Sequence, residues 1–265
     1  MLSQQSIIRQ SSDKDLRAIH SWLEEEEKYG VEDGFLCNWS VIEESHRSKG
    51  LLVLVDGNSQ QPVAFQLNRL LKPGIIQVRN SERGKGYGRK LVEHCVKLAI
   101  DEDEPFLFIQ CKPVSSIPFW NRMGFSLFEE KSKTYGYRSL EKQLPFPLTG
   151  DSVAVVISFY PENKLYPDTE GVVPYSVHTP AAKRLPNGNI ALDQRVLFHN
   201  RKFLHDVYGY MYGSQNAVVG VEVDGCCIYL EKAKREKAEG LGFQRRDNGW
   251  FLDSLDLAII SSRVP

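Results

Sequence analysis

The chain has 265 residues, 42% of them hydrophobic and 25% charged, with a formal net charge of −1. That length and apolar content support a real core and more than one domain. Basic and acidic residues balance on either side of Leu144, which argues against a globally basic binder of nucleic acid or anionic lipid.

In chain order, Ile7-Ile8-Arg9 reads as a short first strand. Ser12 is an N-cap signal for a helix with Leu16, Ile19, Trp22 and Leu23 on one face, ending near Gly30 after the acidic run 24–27. A short second helix is expected over 41–48. Strands are expected over 51–55 and 62–68, paired as a hairpin across Asp56-Gly57, and over 75–79. A turn rich in glycine and charge (80–86) leads into a helix over 87–100 with Leu91, Val92, Cys95 and Val96 inward. The apolar run 106–111 suits a strand buried on both faces. A helix over 115–122, closed by Gly124, and strands over 125–128 and 134–140 complete an α/β unit with a mixed sheet. Pro145, Pro147 and Thr149-Gly150 mark a boundary. The expected domains are 1–144 and 145–265.

The second domain reads as α+β. Residues 152–159 alternate as a strand, 161–174 is a proline-bearing loop, and 174–177 is extended. Asn187-Gly188 is a tight-turn signal. Asp224-Gly225 is another, joining strands 218–223 and 226–230. The charged stretch 230–239 is predicted as a helix ending at Gly240. Tyr208, Tyr210 and Tyr212 alternate as on a strand with one aromatic face. His199, His205 and Asp206 cluster without the spacing of a metal site, and no metal is expected.

The cysteine count is odd, with no C-x-x-C pair, and adjacent Cys226 and Cys227 would point to opposite faces of a strand. Reduced thiols in a cytoplasmic protein are the simplest reading. No apolar run approaches the ~20 residues of a membrane span, and residues 1–6 lack the pattern of a secretion signal. No membrane partner is expected.

The chemistry concentrates in Ile75-Ile-Gln-Val-Arg-Asn-Ser-Glu-Arg-Gly-Lys-Gly-Tyr-Gly-Arg-Lys-Leu91. A strand runs into a bend containing Gly84, Gly86 and Gly88, and a helix begins there. Glycines permit positive φ and close approach of a ligand to the backbone. A helix start supplies unpaired N–H groups and partial positive charge, suited to phosphate or pyrophosphate. Arg83, Lys85, Arg89 and Lys90 add charge. A P-loop would need Ser or Thr after Gly84-Lys85. A Rossmann loop would need G-x-G-x-x-G after the first strand, whereas the spacing here is G-x-G-x-G after the fourth.

These residues resemble the GNAT acetyltransferase family. Its [Q/R]-x-x-G-x-[G/A] signature is met by Arg83-Gly84-Lys85-Gly86-Tyr87-Gly88, and its aromatic pair followed by Gly-Phe is met by Phe119-Trp120-Asn-Arg-Met-Gly124-Phe125. The resemblance covers roughly residues 5–142. It implies a transferase that uses acetyl-CoA as co-substrate and acylates an amine by direct attack, with no covalent enzyme intermediate. It implies main-chain N–H groups of Arg83, Gly84, Lys85, Gly86, Tyr87 and Gly88 around the pyrophosphate, with Arg89 adjoining. It also implies Ile76 and Val78 along the pantetheine arm, and the Val78 N–H as oxyanion donor. Where the family often has a leaving-group-protonating Tyr, this chain has Trp120, whose indole is too weak an acid. Either Trp120 packs on the coenzyme and another group supplies the proton, or the site binds an acyl-CoA and catalyses poorly. Tyr135 and Tyr137 are candidate substitutes or ordinary sheet aromatics.

Glu24, Glu25, Glu26, Glu27, Asp33, Glu43 and Glu44 lie where the family forms its acceptor pocket, and as a group they suit a cationic acceptor. The expected partner is therefore a small-molecule or peptide amine. His94 reads as structural, and Cys111 as a thiol lacking a neighbouring base. Neither nucleic-acid binding nor a particular oligomer is indicated.

Overall fold

The structure is a computed structural model. It describes residues 6–31, 34–71, 74–130, 132–161, 172–198, 217–232, 239–246 and 249–257. The chain divides into two compact units, Met1–Arg138 and Ser139–Pro265.

The first unit runs β1 (Ile7–Gln10), α1 (Asp13–Lys28), α2 (Trp39–Arg47), β2 (Leu51–Val55), β3 (Pro62–Leu67), β4 (Ile76–Val78), α3 (Tyr87–Asp101), β5 (Phe106–Gln110), α4 (Ile117–Arg122), β6 (Ser126–Glu130) and β7 (Lys133–Ser139). One sheet has the order β1-β2-β3-β4, all antiparallel, and a second has the order β5-β7-β6.

Alternation along the strands of the first sheet sorts side chains into two layers. Leu51, Val53, Phe65 and Leu67 meet Ile19, Trp22 and Leu23 of α1 and Ile42 of α2 on one face. Leu54 and Ala64 meet Leu91 of α3 on the other, where Ile76, Val78 and Tyr87 pack beside them. Helices therefore cover both faces.

The start of α1 is closed by its own sequence. Ser12 and Asp15 form a reciprocal capping box. The Arg9 guanidinium of β1 donates to both Asp15 oxygens, at 2.6 and 3.0 Å. Burial alone would raise the Asp15 pKa, but the bonds from Arg9 and Ser12 outweigh it and hold the carboxyl below its usual range.

The second unit comprises β8 (Asp151–Pro161), β9 (Ser176–His178), β10 (Ala181–Arg184), β11 (Ile190–Leu197), β12 (Ala217–Val223), β13 (Cys226–Lys232), β14 (Gln244–Arg246) and β15 (Gly249–Leu255). They form one sheet in the order β13-β12-β8-β10-β11-β15-β14, with β9 also on β8. Its core gathers Ile157, Phe159, Ile190, Leu192, Val221 and Leu252. Arg195 of β11 is buried over the Phe251 ring, 3.6 Å from its centroid, and pairs with Asp253 at 2.6 Å.

The expected α+β character of this unit is not confirmed: its described residues are mostly strands. The helix expected from residue 230 is replaced at its start by β13, because pairing of Val219 with Glu231 and Val218 with Lys232 continues the hairpin past Leu230. Cross-strand bonds there override the helical preference of Glu and Lys. Residues 233–238, His199, His205, Asp206, Tyr208, Tyr210 and Tyr212 lie outside the described residues. No described helix is long and apolar enough to cross a membrane.

A carboxyl held below its usual range contributes stability that is present above the unfolded pKa and is lost as pH falls through the folded value. Asp15→Asn should lower the melting temperature at pH 7, and the gap to the parent should narrow only as pH falls below the ordinary aspartate value of about 3.9. Parallel thermal melts across pH check this, and a pH-independent gap would refute it.

Candidate functional site

The site is built where β4 ends and α3 begins. In β4, Gln77 lies opposite Phe65 and Val78 opposite Ala64. Arg79 N–H donates to Val63 O at 2.9 Å, and Leu67 N–H donates to Ile75 O at 2.8 Å. Residues 75, 77 and 79 therefore spend their main-chain groups on β3. The N–H and C=O of Ile76 and Val78 are aimed the other way, because an antiparallel pairing alternates them. Since β4 ends its sheet, the Val78 N–H faces an open edge. The Arg83 Nε donates to the Val78 carbonyl at 3.4 Å.

After β4, a single 3-10 turn spans Asn80–Glu82. Gly84 and Gly86 then take φ of 80° and 84°, a region that side chains with a Cβ disfavour. A Cβ at either glycine would meet nothing within 4 Å. The bend is therefore not filled by the protein's own side chains at these two positions.

Gly86 is the N-cap of α3 and contributes no side-chain cap. The first helical donor with a carbonyl partner is Lys90, on Gly86 O at 3.1 Å. Among the described residues no protein acceptor meets the N–H groups of Gly84, Lys85, Gly86, Tyr87, Gly88 or Arg89. They form a row of donors at the positive end of a 15-residue helix, the arrangement that holds phosphate oxygens.

Surrounding side chains shape the bend. Lys85 pairs with Glu82 at 2.7 Å, which raises the Lys85 pKa. The Tyr87 hydroxyl donates to Asp56 Oδ1 at 3.1 Å, and burial together with this bond raises its pKa. Arg83, Arg89 and Lys90 are exposed around it. The Phe119 ring and Val78 Cγ2 lie 3.4 and 3.5 Å from the position of a Gly88 Cβ. Gly88 thus brings the backbone of α3 against β4 and α4. Phe119 is a site residue that reading the sequence passed over for its neighbour. Its signal was its place as the first ring of the aromatic pair ahead of Gly124-Phe125.

Trp120 is buried, edge-on to Phe119 and Phe125 with centroids 5.0 and 5.1 Å away. Tyr135 and Tyr137 are buried on β7, in an aromatic layer with Phe108 and Phe128. The structure thus gathers Val78, Gly88 and Phe119 at the bend, and sets Trp120 and the two tyrosines in packed aromatic surroundings.

The acidic run divides its labour. Glu24 pairs with His20 at 3.3 Å and Glu25 with Arg79 at 2.9 Å. Glu26 is buried, and Glu27 is exposed. Glu44 pairs with Arg47, and Asp33 lies outside the described residues. Burial pushes the Cys111 thiol up to about 11, so it remains protonated and a poor nucleophile at neutral pH. His94 is lowered by burial and Lys97. No group of metal-ligating side chains occurs among the described residues.

Several solved structures resemble this chain. A GNAT acetyltransferase from Staphylococcus aureus Mu50 matches with 14% identity and a TM-score of 0.40, over 51% of this chain and 99% of that one. PaiA N-acetyltransferase from Thermoplasma acidophilum, solved with coenzyme A, matches with 14% identity and a TM-score of 0.41, over 51% and 99%. N-acetylglutamate synthase from Neisseria gonorrhoeae, complexed with coenzyme A and N-acetylglutamate, matches with 14% identity and a TM-score of 0.38, over 51% and 35%. Among curated proteins there is no significant match. The model of the acetyltransferase (GNAT) family matches residues 16–125, a span that contains β4, the bend, α3 and α4. Residues 16–125 of this chain therefore match the acetyltransferase (GNAT) family.

Proposed function

We propose that the N-terminal half binds acetyl-CoA and transfers its acetyl group directly to the amine of a small molecule or peptide. The observation that carries this reading is the row of unpartnered N–H groups from Gly84 to Arg89, inside the segment that matches the family. The pyrophosphate would lie on those donors, flanked by Arg83, Lys85 and Arg89. The pantetheine arm would follow the open edge of β4 past Ile76 and Val78. At the thioester, the amine lone pair attacks the carbonyl carbon and negative charge grows on the carbonyl oxygen. The Val78 N–H, unspent on β3, is the donor available to that oxygen. Collapse expels the coenzyme A thiolate and leaves the acetylated amine, which sheds a proton. Tyr135 and Tyr137 are the candidate proton donors of β7.

This reading assigns transfer to residues 1–144 and a separate role to 145–265. It assigns the protein to the cytoplasm, which suits five free thiols.

Trp120 favours a second reading, a non-catalytic acyl-CoA binder. Its indole sits where the family often has an acidic hydroxyl, and it is buried against Phe119 and Phe125.

Calorimetry with coenzyme A and acetyl-CoA should show binding, and thiol release over a panel of amines should accelerate above hydrolysis. Binding without amine-dependent release selects the second reading, and absence of binding by well-folded protein ends both. Gly86→Val should fold at a cost of about 1–2 kcal/mol, since its φ is left-handed but its surroundings are empty. It should lose coenzyme A binding, because its side chain takes the space of a phosphate. Circular dichroism and titration of the variant check both halves of that expectation.

A further inference from the structure

Glu26 stands in the last turn of α1 with only 7% of its surface exposed. Two effects oppose a carboxylate there. Burial removes its hydration, and the carbonyl end of a helix repels negative charge. The compensation comes from donors outside the helix. Asn80 N–H donates to Glu26 Oε1 at 2.5 Å, and Gln77 Nε2 donates to Glu26 Oε2 at 3.1 Å. Gln77 is itself 4% exposed, and its Oε1 accepts from Phe35 N–H at 3.2 Å.

Each link leads into the acyl-CoA site. Asn80 opens the 3-10 turn between β4 and the glycines, and its carbonyl accepts from Arg83 N–H at 3.2 Å. Gln77 sits in β4 between Ile76 and Val78. Phe35 lies in the segment just ahead of α2. Both Glu26 oxygens are engaged by N–H donors, which suits a fixed anchor rather than a proton acceptor.

We propose that Glu26 is the positioning residue of the phosphate-binding bend. Its buried carboxylate fixes where β4 ends and where the donor row begins, and through Gln77 it ties both to the segment carrying Phe35. The proposal rests on the acyl-CoA reading above.

The pattern of donors and acceptors supplies a direct test. In Glu26→Gln, one amide oxygen can keep Asn80, but the new amide nitrogen then faces Gln77 Nε2. Flipping Gln77 would only move the donor–donor conflict to Phe35 N–H. The double variant Glu26→Gln/Gln77→Glu removes the conflict. The amide oxygen now at position 26 would accept from Asn80 N–H, and the amide nitrogen beside it would donate to the carboxylate now at position 77. That carboxylate would in turn accept from Phe35 N–H. Every bond is restored with the charge moved to β4.

Coenzyme A titration by calorimetry on the full chain should show about tenfold weaker binding in Glu26→Gln, as for one buried donor left unsatisfied. The double variant should return to within about threefold of the parent. Melting curves on all three proteins separate stability from affinity. A lowered melting temperature with unchanged affinity marks a merely structural residue and overturns the proposal, as does a folded double variant no better than the single one. If the single variant fails to fold, parent-like affinity in the double variant supports the proposal and tenfold weakening overturns it. A parent protein that does not bind coenzyme A removes the functional reading and this inference together. Binding by the parent with no change in Glu26→Gln removes the inference alone.

Discussion

The first unit is organised around main-chain hydrogen-bond donors that the fold leaves unused. In places the chain closes such groups: the start of α1 is sealed by Ser12 and Asp15, and β2 and β3 spend theirs on neighbours. At the junction of β4 and α3 the opposite holds. The last strand of the sheet presents the N–H of Val78 along a free edge. A few residues later, α3 begins on a left-handed glycine with no side-chain cap. Two open edges of different secondary structure thus adjoin, and the function proposed above assigns one to a carbonyl oxygen in reaction and the other to phosphate.

Donors are useful in this state only if they are held still, because a mobile bend would turn them toward water or its own carbonyls. Packing supplies part of the rigidity. Leu91 of α3 seats in the layer formed by Leu54 and Ala64, and Gly88 lets Phe119 and Val78 close around the helix start. The polar chain Phe35–Gln77–Glu26–Asn80 supplies another part from the opposite face of the sheet. β4 is gripped from both sides while the N–H of Val78 on its edge stays free. The second unit carries its own core around Phe159 and Leu252.

Reading the sequence reached far into the first unit because its signals are local. Ser12 with Asp15 announces a helix start, Leu91, Val92, Cys95 and Val96 announce a buried helical face, and Gly84 and Gly86 announce a bend. Phe119 was passed over, since nothing in Phe-Trp says which ring meets Gly88 and which enters the core. Glu26 stood as one of seven carboxylates read together as suited to a cationic acceptor. Only its position on the turn of α1 that faces β4 distinguishes it from Glu25 and Glu27. In the second unit, β10 and β14 went unrecognised because they are short, and the longer β15 also went unread. The charged stretch from residue 230 carried helical propensity that cross-strand pairing overrode.

The sequence by itself determined the order of elements in the first unit, the glycine bend and its resemblance to an acyl-CoA site. Each depends on residues within a few positions of one another, where backbone preference and hydrophobic period act directly. The tertiary structure alone decided which main-chain groups stay free. Pairing register sets the direction of the Val78 N–H, and register is a property of two strands together. It also decided that one glutamate of four is buried, because that depends on where the end of α1 meets a strand 51 residues later in the chain.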